Sequence, residues 1–70
     1  MGVVTFAAGD RVVLRSTGEC GVILHSWTDE HGDEDCYIAF FGQHFPAPGQ
    51  VIEKPYVLRY YAMSLRRAPP

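Results

Sequence analysis

Gly9-Asp10-Arg11-Val12-Val13-Leu14-Arg15-Ser16-Thr17-Gly18-Glu19-Cys20-Gly21-Val22-Ile23-Leu24-His25-Ser26-Trp27 is the stretch that decides how this chain folds. Two apolar, β-branched runs are parted by Ser16, Thr17, Gly18 and Glu19, residues that favour turning over extension. The stretch therefore predicts a strand, a turn and a second strand. On a period of two, Val12 and Leu14 share one face of the first strand, with Arg11, Val13 and Arg15 on the other. In the second, from Cys20 to Trp27, one face holds Gly21, Ile23, His25 and Trp27 and the other Cys20, Val22, Leu24 and Ser26. Both faces carry large apolar groups. The stretch supplies a hairpin and no catalytic constellation.

Working outward, Met1 to Ala8 is a short lead-in whose Val3, Val4 and Phe6 are apolar enough to pack onto the domain. Thr28 to Asp35 holds five carboxylates in eight residues and a glycine, which predicts a solvated hairpin tip. Cys36 to Phe41 reads as a third strand, with Cys36, Ile38 and Phe40 against Tyr37, Ala39 and Phe41. Pro46, Pro48, Gly49 and Pro55 make Gly42 to Pro55 a loop, in which Val51-Ile52 is expected to make a brief edge contact. Tyr56 to Tyr61 is the fourth strand, with Tyr56, Leu58 and Tyr60 against Val57, Arg59 and Tyr61. Ala62-Met63-Ser64 reads as a single 3₁₀ turn and Leu65 to Ala68 as a last short strand, after which Pro69-Pro70 ends pairing. Short strands, turn signals at regular spacing and no amphipathic helix predict an all-β chain. The expected form is one domain over residues 1–70, a small antiparallel barrel of about five strands with a single 3₁₀ turn before the last.

A chain of 70 residues buries only about 60% of the surface its unfolded form exposes, so its stability is expected to be marginal. The apolar share of 47% is enough for a core and argues against disorder. A net charge of −2 gives no bulk attraction to phosphate backbones or anionic membranes. No apolar run approaches the ~20 residues of a membrane span, and Met1 to Thr5 lacks the basic start of a signal peptide. The expected location is cytoplasmic. Cys20 and Cys36 each sit in or beside an apolar run and are expected to act as small buried hydrophobes; a bridge between them would imply export.

The order of four strands, a 3₁₀ turn and a short fifth strand resembles an SH3-like barrel. Within that group the chain is similar to the type II, plasmid- and integron-borne dihydrofolate reductases. Gly9-Asp10-Arg11-Val12 matches their opening, Gly21-Val22-Ile23 and Trp27 their second strand, and Val57, Tyr60, Leu65 and Arg67 their closing segment. The glutamine and isoleucine that line the family's central pore fall here at Leu58 and Arg59, and its pore lysine near Leu14. Tyr60 is kept. The resemblance implies the fold, and these departures separate it from the activity, since fold does not license function.

No catalytic residues, metal or cofactor are expected. His25, His31 and His44 lack zinc-ligand spacing, and the Asp29–Asp35 run lacks the ligand order of a calcium loop. Nucleic-acid binding would need Arg11, Arg15, Arg59, Arg66 and Arg67 to gather beside aromatic platforms, against the negative total, and is not expected. The candidate binding residues are Trp27, Tyr37, Phe41, Arg59, Tyr60 and Tyr61, an aromatic groove suited to a protein or peptide partner. A small barrel hides one face of each strand, so the other face should be polar. With Ile23, Ile38 and Phe40 inward, Val13, Val22, Leu24, Tyr37, Ala39 and Phe41 form an outer apolar patch. Its expected cover is a second copy in a homodimer or higher homo-oligomer, or else Phe45, Val51 and Ile52 of the Gly42–Pro55 loop. The expected function is a non-enzymatic binding and assembly module. The competing expectation is a small NADPH-dependent oxidoreductase with a site between subunits.

Overall fold

The computed structural model describes residues 5–50 and 55–69. In chain order it contains β1 (Arg11–Leu14), β2 (Cys20–Thr28), β3 (Glu34–Gly42), β4 (Tyr56–Tyr61), a 3₁₀ turn (Ala62–Ser64) and β5 (Leu65–Arg67). The strands form one antiparallel sheet in the order β4-β3-β2-β1-β5. The expected all-β architecture and the 3₁₀ turn are present. Among the described residues β4 and β5 are unjoined edges, so the sheet is open. No helix of the described residues is long and apolar enough to cross a membrane.

The turns follow from local chemistry. After β1 the Gly18 amide donates to the Leu14 carbonyl at 2.8 Å, and Gly18 takes φ +79°, which its missing Cβ allows. At the β2–β3 tip, Asp29 Oδ1 accepts from the His31 and Asp33 amides at 2.9 and 3.0 Å. This tip is narrower than the acid run predicted. Glu34 and Asp35 belong to β3, and Asp35 is 1% exposed, so it is no part of a solvated loop.

One face of the sheet buries Val12, Leu14, Ile23, Cys36, Ile38, Phe40 and Leu65 with Phe6 of the lead-in, while Tyr60 and Ala62 pack against them. Gly21 lies inside this face because a Cβ there would stand 2.5 Å from Ile38 Cγ2 and 3.0 Å from the Ala39 carbonyl oxygen. Cys20 and Cys36 are buried and free. Burial pushes the Cys36 thiol up, helped by the charges of Glu34 and Asp35, although the Ser26 hydroxyl donates to its sulfur at 3.5 Å.

The pairing of β2 with β3 breaks between Ile23 and His25, leaving Leu24 as an extra, bulged residue. Beyond it the side-chain alternation inverts. His25 and Trp27, expected to share a face with Gly21 and Ile23, instead face outward opposite Tyr37 and Asp35, and Ser26 turns in toward Cys36. A second irregularity, between Cys20 and Gly21, sets Gly42 and Phe40 as their partners and leaves Phe41 over.

Candidate functional site

The bulge assembles a cluster on the outer face. Trp27 pairs with Asp35 and Asp35 with Tyr61; Tyr37 pairs with His25 and Arg59. Antiparallel partners share a face, so six side chains meet across three strands. Arg59 donates to Asp35 through Nε to Oδ1 at 3.1 Å and Nη2 to Oδ2 at 3.2 Å, the two-pronged geometry that a guanidinium offers a carboxylate. The Asp35 side chain is buried, whereas that of Arg59 is 53% exposed. The hydrogen bond to Asp35, then its charge, raises the Arg59 pKa. The Arg59 guanidinium carbon lies 5.7 Å from the Trp27 ring centroid; Trp27 and Tyr37 are 4.9 Å apart and His25 and Trp27 5.5 Å. Beside the pair opens a recess of about 250 Å³ lined by Asp35, Arg59, Tyr60, Tyr61 and Ser64.

Trp27, Tyr37, Arg59 and Tyr61 of the expected binding set are thus brought together. Tyr60 lies on the core face, where it pairs with Cys36 and its ring meets Phe40 edge-on at 5.9 Å, and it only borders the recess. Phe41 does not join them: its ring lies 6.3 Å from Phe45, at the β1 side of the outer face. Asp35, His25 and Ser64 were missed. For Asp35 a signal existed, an acid two residues before Tyr37 and hence on its face once the strand begins at Glu34. The cluster offers aromatic faces and a neutralised guanidinium whose Nη1 makes no hydrogen bond to the described residues. Such groups bind and orient. The Cys36 thiol is buried and pushed up, the opposite of what activates a nucleophile. Among the described residues no three His, Cys, Asp or Glu side chains converge as metal ligands.

The expected apolar patch is displaced. Val13 is 5% exposed and so adds no open surface. Val22, Ala39 and Phe41 are half-buried, and Phe45 packs on Phe41 with the Arg11 guanidinium 4.1 Å above its ring. The loop therefore covers one corner, as its Phe45 allowed; Val51 and Ile52 lie outside the described residues. Leu24 and Tyr37 stay 48% and 44% exposed, and Val57 joins them at 53%. Val22, Ala39 and Val57 form one rung across β2, β3 and β4.

Arg15, Arg66 and Arg67 line one recess with Thr5, Phe6, Met63 and Leu65, and Arg59 stands apart from them. Arg59 sits on β4 with Asp35, whereas Arg66 and Arg67 lie on the opposite edge strand. Arg67 pairs with Asp10 at 3.2 Å, and Arg15 Nε donates to the Leu65 carbonyl. Leu14 is a core side chain, Leu58 is 43% exposed on β4, and Arg59 is committed to Asp35. Comparison of the chain with protein-family models, curated proteins and solved structures finds no match.

Proposed function

We propose that the protein is a non-enzymatic binding and assembly module, an SH3-like barrel that self-associates through the outer face of β2, β3 and β4. The carrying observation is the apolar strip on that face: the rung of Val22, Ala39 and Val57, flanked by the half-exposed Leu24 and Tyr37. Small soluble domains rarely leave such a strip open. Covering it recovers about 25 cal/mol per Å², which matters in a chain this short. Beside the strip the charge of Arg59 is neutralised by Asp35, and Arg11, which pairs with Val22 at its end, lies over the Phe45 ring. A two-fold contact is the simplest closed solution.

Sedimentation equilibrium tests this. At tens of micromolar the species should have twice the 7.8 kDa of the chain, and Leu24→Glu should return it to monomer. A wild-type monomer at that concentration overturns the reading. The competing oxidoreductase needs polar cofactor-holding groups where Leu58 and Arg59 stand. Saturable NADPH-dependent turnover of dihydrofolate by micromolar protein would promote it over the binding module.

A further inference from the structure

β4 is exposed in a way that no face-on partner can cover. It has one neighbour in the sheet, β3, and its other edge makes no backbone hydrogen bond to the described residues. Its large apolar side chains are open on both faces: Val57 and Tyr61, 53% and 44% exposed, on the outer, and Tyr56 and Leu58, each 43%, on the core side. A partner docked on either face leaves the other wet. A strand that continues the sheet supplies the missing backbone hydrogen bonds and sets its own side chains beside the exposed ones on both faces.

The two edges of the sheet are built differently. β5 is three residues long, two of them arginines, with Pro69 close behind. Shortness, charge and proline are the usual guards against edge pairing. β4 has six residues, an unbroken register with β3 and neither lysine nor proline within it. Its one charge, Arg59, is already held by Asp35.

We infer that β4 pairs antiparallel with β4 of a second copy, joining two sheets across a two-fold axis at Leu58. Opposed residues in an antiparallel pair share a face, so the axis must pass through a residue. Centred on Leu58, the pairing sets Leu58 against Leu58, Tyr56 against Tyr60 and Val57 against Arg59. Centred on Arg59, it sets two guanidiniums side by side at the axis, each held by its own Asp35, where the Leu58 centre sets two apolar side chains together. Centred on Val57, it sets Pro55, which has no amide to give, opposite Arg59 inside the ladder, whereas the Leu58 centre leaves Pro55 at the end, opposite Tyr61. The strand pairing is closed in itself, since one two-fold contact uses both β4 edges and the guarded β5 edges offer no further pairing.

The four exposed side chains contribute about 350 Å² per copy, taking roughly 200 Å² for a large side chain. That is less than half the ~800 Å² per partner of a standard interface, so the contact is weak and concentration-dependent. It shares Val57 with the outer-face association, and the two are told apart by Leu24, which takes no part in it.

Amide hydrogen exchange followed by NMR on the full chain tests it. In an edge strand alternate amides point to the neighbour and away from it, and the second set exchanges freely. Between about 20 µM and about 1 mM the outward set of β4 should slow several-fold, by no more than about sevenfold, the square root of the concentration ratio that bounds a monomer–dimer equilibrium. Leu58→Lys should abolish that slowing while the inward set stays protected, and Leu24→Glu should leave it intact. Free exchange of the outward set at the higher concentration overturns the pairing. So does protection that persists undiminished on dilution, which would assign the edge to the chain's own residues. Loss of the slowing in Leu24→Glu but not in Leu58→Lys would transfer it to the outer face and overturn it too.

Discussion

β1 and β4 are both short apolar strands, Arg-Val-Val-Leu and Tyr-Val-Leu-Arg-Tyr-Tyr, yet they meet opposite fates. Val12, Val13 and Leu14 are all at most 5% exposed, whereas β4 holds no fully buried residue. Hydrophobicity does not separate the two; neighbours do. β1 lies between β2 and β5, and Phe6 joins its side chains in the core. On the outer face the loop residue Phe45 lies under the Arg11 guanidinium. β4 has β3 alone. The comparison teaches that in a five-stranded open sheet, position in the strand order sets burial more than composition does.

The largest test sets two register partners against each other. Ile38 and Leu58 are paired on the same face, one fully buried and one 43% exposed. Ile38→Ala should cost about 3–4 kcal/mol in chemical denaturation and leave the chain near unfolding. Leu58→Ala, measured at low concentration, should cost less than about 1 kcal/mol. Equal losses would break the comparison.

Gly21→Ala comes next. Its Cβ would press on Ile38 and on the Ala39 backbone, where a shift disturbs the sheet itself. A loss of roughly 2–3 kcal/mol is expected, read as a lower denaturation midpoint. A neutral Gly21→Ala would mean that the covered half is looser than its burial implies.

These contacts also mark what was legible in the sequence. Strand existence, order and the 3₁₀ turn could be read because turn residues bracket each apolar run. The inward set of Ile23, Ile38 and Phe40 followed from period two. The candidate site was only half legible, because Leu24 bulges and carries His25 and Trp27 to the other face. A bulge arises from the fit of two strands, so no single strand encodes it plainly. The burial of Val13 and Asp35 escaped for a related reason: each is covered by residues far along the chain.

A smaller effect is expected from the outer cover of the β1 side. Phe45 is half-buried between Phe41 and Arg11. Phe45→Ala should cost about 1 kcal/mol, a fraction of the full-burial value, and raise exchange at the end of β3 without touching β4. An unchanged midpoint would show that the loop rests there without contributing.

The smallest effect concerns the cover on the other side of β1, the Thr5–Phe6 arm. The Thr5 and Phe6 amides donate to the two Glu34 carboxylate oxygens at 2.7 and 3.0 Å. Arg67 Nη2 donates to the Thr5 carbonyl at 2.8 Å while its Nη1 pairs with Asp10. Burial pushes the Glu34 carboxyl up, but the Phe6 and Thr5 amides outweigh it and hold the group below its ordinary value. The Ala7 amide, opposed by some desolvation and aided by Arg67, does the same for Asp10. Both carboxyls therefore bind fewer protons folded than unfolded in the acid range, so stability rises with pH there. The contribution is complete above the unfolded carboxylate values and is lost as pH falls through the lowered folded ones. On acidification the Phe6 amide resonance should move first, below the usual glutamate range, while the β3 and β4 amides hold. Glu34→Gln keeps one acceptor oxygen but no charge, so it should lower the neutral-pH midpoint slightly and erase the glutamate step from the titration. A Phe6 profile unchanged in Glu34→Gln would mean that core packing alone holds the arm, and that the covered half owes nothing to this carboxylate.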